Sequence, residues 1–259
     1  MKSGVQVDLS KFVVMDDFDS AGGSVGITST GARWASKHKI PYDSSKATWY
    51  AFFSEQSKML SPTGDSLHNI MAILDSGAKP NFTTCIGDWG YQGKGIHIKN
   101  DLKGKAYPYV GFGAALTGWD STIVGFGAVS SVWDSTHYYD FTSLTAVSFR
   151  AKGSGQWWMH VITDSIANKS KAPDNWGHMG IHFDLTPEWK EFVISIDLLA
   201  PRPWSVQATK GLLWSQVRNK VNAIEFMSGQ VYGEASDDSL EIYLDDLHLV
   251  GLAPGDLGL

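Results

Sequence analysis

Apolar and polar residues alternate with period two in run after run of this chain. The runs are Gly95–Lys99, Tyr109–Ala115, Ala146–Lys152, Trp157–Asp164, Gly180–Leu185, Glu191–Asp197, Ala223–Ser228 and Leu240–Leu249. Successive side chains of a strand point to opposite faces, so each run predicts a strand with one side in a core. Gly, Asp, Asn, Ser and Pro separate the runs at short intervals, as in sandwiches and jelly rolls. Long amphipathic helices are missing from the pattern. Leu67, Ile70, Met71 and Leu74 fit one helical face after Asp65-Ser66, but a strand over Asn69–Leu74 accounts for them equally well. Pro203–Val221 reads as a long loop with one helical turn at Ser215–Lys220. The prediction is an all-β chain of the sandwich or jelly-roll type. No linker divides it, so it reads as one domain over residues 13–251, with flexible ends at 1–12 and 252–259.

Parity then separates core from outer face. Trp157, Met159 and Val161 take the inward set of one strand, leaving Trp158, His160, Ile162 and Asp164 outside. In the next strand Ile181 and Phe183 go in while His182 and Asp184 go out, and Glu225 and Met227 take outward positions further on. Trp and His beside carboxylates suit a sugar, whose C–H faces stack on rings and whose hydroxyls take directional hydrogen bonds. Trp176 lies in the loop Pro173–His178 that leads into the second of these strands, which places it at the rim of the same face.

Composition sharpens this picture. The chain has 259 residues, 43% of them hydrophobic and 19% charged, which is enough for a sizeable core without staples. It carries 11 Trp, more than one core needs, and a tryptophan N–H is costly to bury without a partner. Some of these rings are therefore expected at a binding surface. The 21 basic residues are scattered and the net charge is −6, which argues against nucleic acid as partner. Cys85 is the single cysteine, so no intramolecular disulfide forms. No apolar stretch of about 18 residues exists to span a membrane, and the opening MKSGVQVDLS lacks the apolar run of a signal peptide. Tyr109–Thr122 and Ile123–Thr136 match at 9 of 14 positions, and this local duplication predicts two adjacent strands with Trp119 and Trp133 at equivalent turns.

The last strand contains a phase flip. Leu240, Ile242 and Leu244 share one parity, Leu247 and Leu249 the other, so a bulge is expected at Asp245-Asp246. A bulge would turn one carboxylate inward beside Asp16, Asp17 and Asp19. Crowded carboxylates repel, and a hard cation bound through oxygens relieves them, so Ca²⁺ is a candidate against the alternative of solvated acidic ends. Hydrolysis needs two carboxylates flanking a scissile bond. Asp88, Asp164, Asp184, Asp197 and Glu225 are available for that, but none sits in a catalytic motif, and no nucleophile elbow, zinc-binding His pair or phosphate loop is present.

Several short pieces occur in a telling order: Val14-Met-Asp-Asp-Phe18, Trp49-Tyr50, Tyr107–Gly113, Val147–Lys152, Leu185–Ile196 and Leu240–Gly251. Together they resemble carbohydrate-binding module family 11 and the related complex I intermediate-associated protein 30-like domains. The resemblance implies a jelly-roll β-sandwich of two antiparallel sheets with a structural Ca²⁺ between the N-terminal segment and the last strand. It implies a non-catalytic module that binds β-glucan chains, cellulose or mixed-linkage glucan, in a cleft on the concave sheet. Trp158, His160, Asp164, Trp176, His182 and Asp184 are the expected sugar contacts; Asp16, Asp17, Asp19, Asp245 and Asp246 are the expected metal region. A secreted polysaccharide-degrading system, with a fused or associated glycoside hydrolase, is the implied setting. A hydrolase or lyase on the same scaffold, and a protein-interaction domain like the intracellular relatives, are the competing readings.

Overall fold

The structure, a computed structural model, describes residues 7–19, 49–54, 57–67, 82–102, 108–116, 139–167, 177–202, 211–229, 239–253 and 256. Among them run thirteen strands: β1 (Phe12–Asp16), β2 (Trp49–Phe53), β3 (Lys58–Leu60), β4 (Ile86–Gly87), β5 (Gly95–Asp101), β6 (Tyr109–Ala115), β7 (Ala146–Gly153), β8 (Gln156–Thr163), β9 (Met179–Asp184), β10 (Lys190–Ser195), β11 (Ala200–Pro201), β12 (Val221–Gly229) and β13 (Ser239–Val250). Helix is confined to single turns, α1 (Asp164–Ala167) and α2 (Trp214–Val217), and short 3-10 turns. Every alternating run of the sequence is a strand here, to within a residue or two at each end.

The strands form two antiparallel sheets. One has the order β10-β7-β13-β5-β3, with β1 added to β13 and β4 to β5; the other has the order β11-β9-β8-β12-β6-β2. This is the β-sandwich of a jelly roll. Inward residues of both sheets meet in an aromatic core. The Phe226 ring stacks on Phe112 at 5.4 Å and meets Phe149 edge-on at 5.2 Å, while Phe149 also meets Phe183 at 5.2 Å. Trp157 is fully buried among them and its indole N–H donates to the Ser154 carbonyl at 3.0 Å, which removes the cost of burying it. Trp49 is 2% exposed and donates to Asp16 Oδ2 at 2.7 Å, tying β2 of one sheet to β1 of the other. Trp49 is thus a core residue, which removes it from the surface aromatics.

The phase flip in the last strand is the expected bulge. Pairing of β13 with β7 slips between Asp245 and His248, and Asp246 has φ 52°. Asp245 is consequently 0% exposed. Leu252, placed in the flexible tail by the sequence, is also fully buried, because its apolar side chain closes the core just beyond β13. The duplicated segment lies mostly outside the described residues; its first strand is β6. The ambiguous stretch 69–74, Trp119, Trp133, Trp176 and Trp204 also lie outside them. Among the described residues no helix is long and apolar enough to cross a membrane.

Candidate carbohydrate-binding face

The strand register of the six-stranded sheet builds the site. Cross-strand partners point to the same side of a sheet, so each chain of partners is a row of side chains running across the strands. One such row is Phe52, Gly111, Met227, Trp158, His182, drawn from β2, β6, β12, β8 and β9 in turn. The next is Gly113, Glu225, His160, Gly180. Both rows share the parity of Trp158, the ring opposite in sense to buried Trp157, so they lie on the outer face. The first row is aromatic and apolar, the second carries the polar groups. At about 4.8 Å between strands, the five-strand row extends about 19 Å, with Phe52 and Trp158 about 14 Å apart.

Gly111 is required in this row. A Cβ there would fall 2.2 Å from Phe52 Cζ, so the Phe52 ring fills the space that a side chain would take. Sequence reasoning missed Phe52 because Trp49–Phe53, WYAFF, carries no alternation to assign an inside and an outside. Only its pairing with Gly111 does so.

The residues expected at the site divide three ways. Trp158 (half-buried), His182 (exposed) and Asp184 (exposed) stand on the outer face as expected; Trp158 meets His182 at 5.1 Å, and Asp184 accepts from Gln156 Nε2 at 3.2 Å. His160 is on this face by parity but only 2% exposed, beneath its neighbours. Asp164 departs from expectation. The strand ends at Thr163, Asp164 opens α1, its N–H donates to the Lys220 carbonyl at 2.9 Å, and it is 4% exposed, so it does not stand open to a ligand. Trp176 lies outside the described residues.

Below the face sits a polar cluster. Arg202, the residue after β11, is 2% exposed and its guanidinium carbon lies 3.4 Å from the centre of the Trp158 ring. Its Nη1 donates to His160 Nε2. Arginine has no acceptor, so His160 accepts on Nε2 and carries its proton on Nδ1, which lies 3.8 Å from Glu225 Oε2. Burial first, then Arg202 and His178, hold His160 well below the usual histidine range. His178, whose Nδ1 is shut off from solvent, is pushed down to about 3 by burial and then by Arg202. Burial also lowers Arg202 to about 8, against which the Glu225 carboxylate acts, so the guanidinium is charged at neutral pH. Sequence reading overlooked Arg202 because it adjoins a loop and belongs to no alternating run.

The acidic end is arranged differently from a cage. Asp245 Oδ2 accepts from the Tyr91 and Gln92 N–H groups at 2.7 and 3.3 Å, and its Oδ1 from the Asp246 N–H at 2.8 Å. Asp19 Oδ1 accepts from Lys94 N–H at 2.7 Å, so Asp19 and Asp245 clamp the two ends of one loop. Asp16 holds Trp49 and the Phe18 N–H, Asp17 accepts from the Asp19 N–H at 3.3 Å, and Asp246 lies 3.3 Å from Arg150 Nε. Among the described residues no three His, Cys, Asp or Glu side chains converge to hold a metal ion, so the five carboxylates are not a ready-made ligand set. Asp245 is the most deeply buried of the five. Its burial raises it to about 6, against the pull of its N–H donors.

No family model matches the sequence, and no curated protein matches it. Solved structures do. The solution structure of CtCBM11 is 14% identical, with 98% of this chain and 99% of that chain covered at a TM-score of 0.50. A family 11 carbohydrate-binding module from Clostridium thermocellum, in complex with a beta-1,3-1,4-mixed-linked tetrasaccharide, is 14% identical over 79% of this chain and 89% of its own, at a TM-score of 0.47. A family 30 carbohydrate-binding module is 10% identical over 79% and 99%, at a TM-score of 0.40. At such identities the likeness concerns fold alone, and the full-length match to CtCBM11 is the one that carries it. The chain has the jelly-roll fold of the family 11 carbohydrate-binding modules.

Proposed function

We propose that this chain is a non-catalytic carbohydrate-binding module that takes a β-glucan chain, cellulose or mixed-linkage glucan, across the outer face of its six-stranded sheet. The observation that carries the reading is the cross-strand row Phe52, Gly111, Met227, Trp158, His182. Rings at two points of a strip crossing five strands suit an extended chain of pyranose rings, which offers alternating apolar faces and hydroxyl edges. His182, Asp184 and the second row supply hydrogen-bonding groups alongside. Trp176 belongs to this reading as a rim residue. Of the carboxylates that hydrolysis could draw on, Asp164 and Glu225 are buried and Asp184 is exposed on the face. The setting in this reading is extracellular, beside a fused or associated glycoside hydrolase.

Affinity electrophoresis against soluble polysaccharides, with product analysis on the same samples, tests it. Retarded migration in β-glucan gels with no new reducing ends is expected. New reducing ends or unsaturated products would favour a hydrolase or lyase, and indifference to every glycan would sink the reading.

Ca²⁺ enters the same proposal at the acidic end, with Asp245 as a carboxylate ligand. A ligand of the folded state raises the melting temperature with the logarithm of its free concentration. Melting should drop on chelation and recover with Ca²⁺ but not with Mg²⁺, which demands a stricter geometry. Unchanged melting together with no metal by elemental analysis would remove Ca²⁺ from the account.

A further inference from the structure

We propose that Arg202 is a positioning residue for the glycan platform: its guanidinium, stacked on the Trp158 ring, fixes the orientation in which the half-buried indole meets the sugar. The inference rests on the binding face proposed above and adds a residue on a different element to it. At 3.4 Å from the ring centre, the guanidinium lies in direct contact with the indole face. Arg202 is 2% exposed whereas Trp158 is only half-buried, so a ligand on the outer face meets the tryptophan and is screened from the arginine. The arginine therefore acts through the ring and not on the sugar.

Three strands converge to keep the guanidinium there. His160 on β8 accepts its Nη1 hydrogen bond, and Glu225 on β12 lies next to His160 and supplies the opposing charge. On β9, Gly180 leaves the room: a Cβ at that position would come 2.6 Å from His160 Cδ2 and 3.4 Å from Arg202 Cδ. Pro201, paired with Met179, fixes the backbone just before Arg202. His182 also meets Trp158 edge-on at 5.1 Å and 65°. The indole meets both a planar cation and an imidazole, and a free rotor becomes a fixed surface. Lysine would keep the charge but lose the planar stack and the fork of donors.

The test uses Arg202→Met and Arg202→Lys, each in the wild-type and Trp158→Ala backgrounds, together with 5-fluorotryptophan labelling. Trp158→Phe assigns the Trp158 fluorine resonance by its loss. Both Arg202 substitutions should shift or broaden that resonance and weaken binding of soluble mixed-linkage β-glucan by roughly 2- to 30-fold, the range expected from loss of a cation–ring contact. In the Trp158→Ala background the same substitutions should cost no further affinity. An unmoved Trp158 resonance, or an equal loss of affinity in both backgrounds, would overturn the proposal. Should Arg202→Met fail to fold, Arg202→Lys carries the test with the charge beside Glu225 retained. If wild-type protein binds no β-glucan, the binding reading fails by itself, and the fluorine resonance alone still decides whether Arg202 positions the ring.

Discussion

Trp157→Ala is expected to destabilise the protein by about 3–5 kcal/mol, the usual cost of emptying a large aromatic site in a core. The ring is fully buried, meets Phe112 edge-on at 6.0 Å, and satisfies its N–H on Ser154, so nothing nearby is free to refill the space. Its neighbour should behave in the opposite way. Trp158 points to the other face of the same strand, and Trp158→Ala should leave the melting temperature close to that of the wild type. Glucan affinity should fall instead, by about 1–3 kcal/mol or roughly 5- to 150-fold, by analogy with aromatic stacking on nucleic-acid bases. Chemical denaturation and affinity electrophoresis on the two variants measure both effects. The reverse pairing of outcomes, with Trp158→Ala unfolding and Trp157→Ala failing to bind, would mean that the strand faces the other way.

Acidification should destabilise the metal-free protein, and the histidine cluster beneath the glycan face is the main cause. His178 is held to about 3 in the fold and titrates near 6.5 in an unfolded chain. The unfolded state therefore binds more protons between those values, and stability is complete above pH 6.5 and drains away as pH falls. At pH 5 this one residue accounts for about 2 kcal/mol. His160, lowered by burial and by Arg202, acts in the same direction, and His97 and His248, lowered by burial, add to it. Asp245 opposes them. Its folded value of about 6 lies above the unfolded one, so its contribution is present in acid and lost as pH rises through 6. Between pH 7 and 5 it returns only about 1.4 kcal/mol, so the histidines win. Thermal melts in chelator should show a clear fall between pH 7 and 5, flattened in a His160→Gln, His178→Gln double variant. A flat or rising profile in the wild type would show that the cluster is not held neutral.

The cluster also links stability to the proposed function. His160 can accept the Arg202 hydrogen bond only while its Nε2 is unprotonated, and Arg202 is the group stacked on Trp158. Burial and Arg202 hold His160 well below the usual histidine range, so the folded protein should keep binding glucan between pH 7 and 5 even as it loses stability, which affinity electrophoresis at the two pH values checks.

The alternation of the chain determined the strands, their inward and outward sides, and the bulge. Trp157 and Trp158 show why. Adjacent residues of a strand must face opposite ways, and a neighbouring Met159 and Val161 settle which way is in. Asp245 and Asp246 show the same logic, since a slip of parity in an otherwise regular strand can only be absorbed by an extra residue. What alternation could not supply was strand order. The sequence places Phe52, Gly111, Met227, Trp158 and His182 in five separate runs, and only cross-strand pairing sets them in one row. The acidic end shows the same limit. Of the five carboxylates grouped by the sequence, four are drawn to different donors once Tyr91, Gln92, Lys94, Trp49 and Arg150 have been brought to them by the fold, while Asp17 accepts from the nearby Asp19 N–H. Asp164 kept its parity, yet the strand ended one residue before it and a helical turn carried it into the interior. Arg202 belongs to no pattern at all. Periodicity reports the local choice between core and solvent along one strand, while contacts between distant segments depend on pairing and packing, so Trp158 and His182 were visible in the sequence, whereas Phe52 and the Arg202 cation were set in place by tertiary structure.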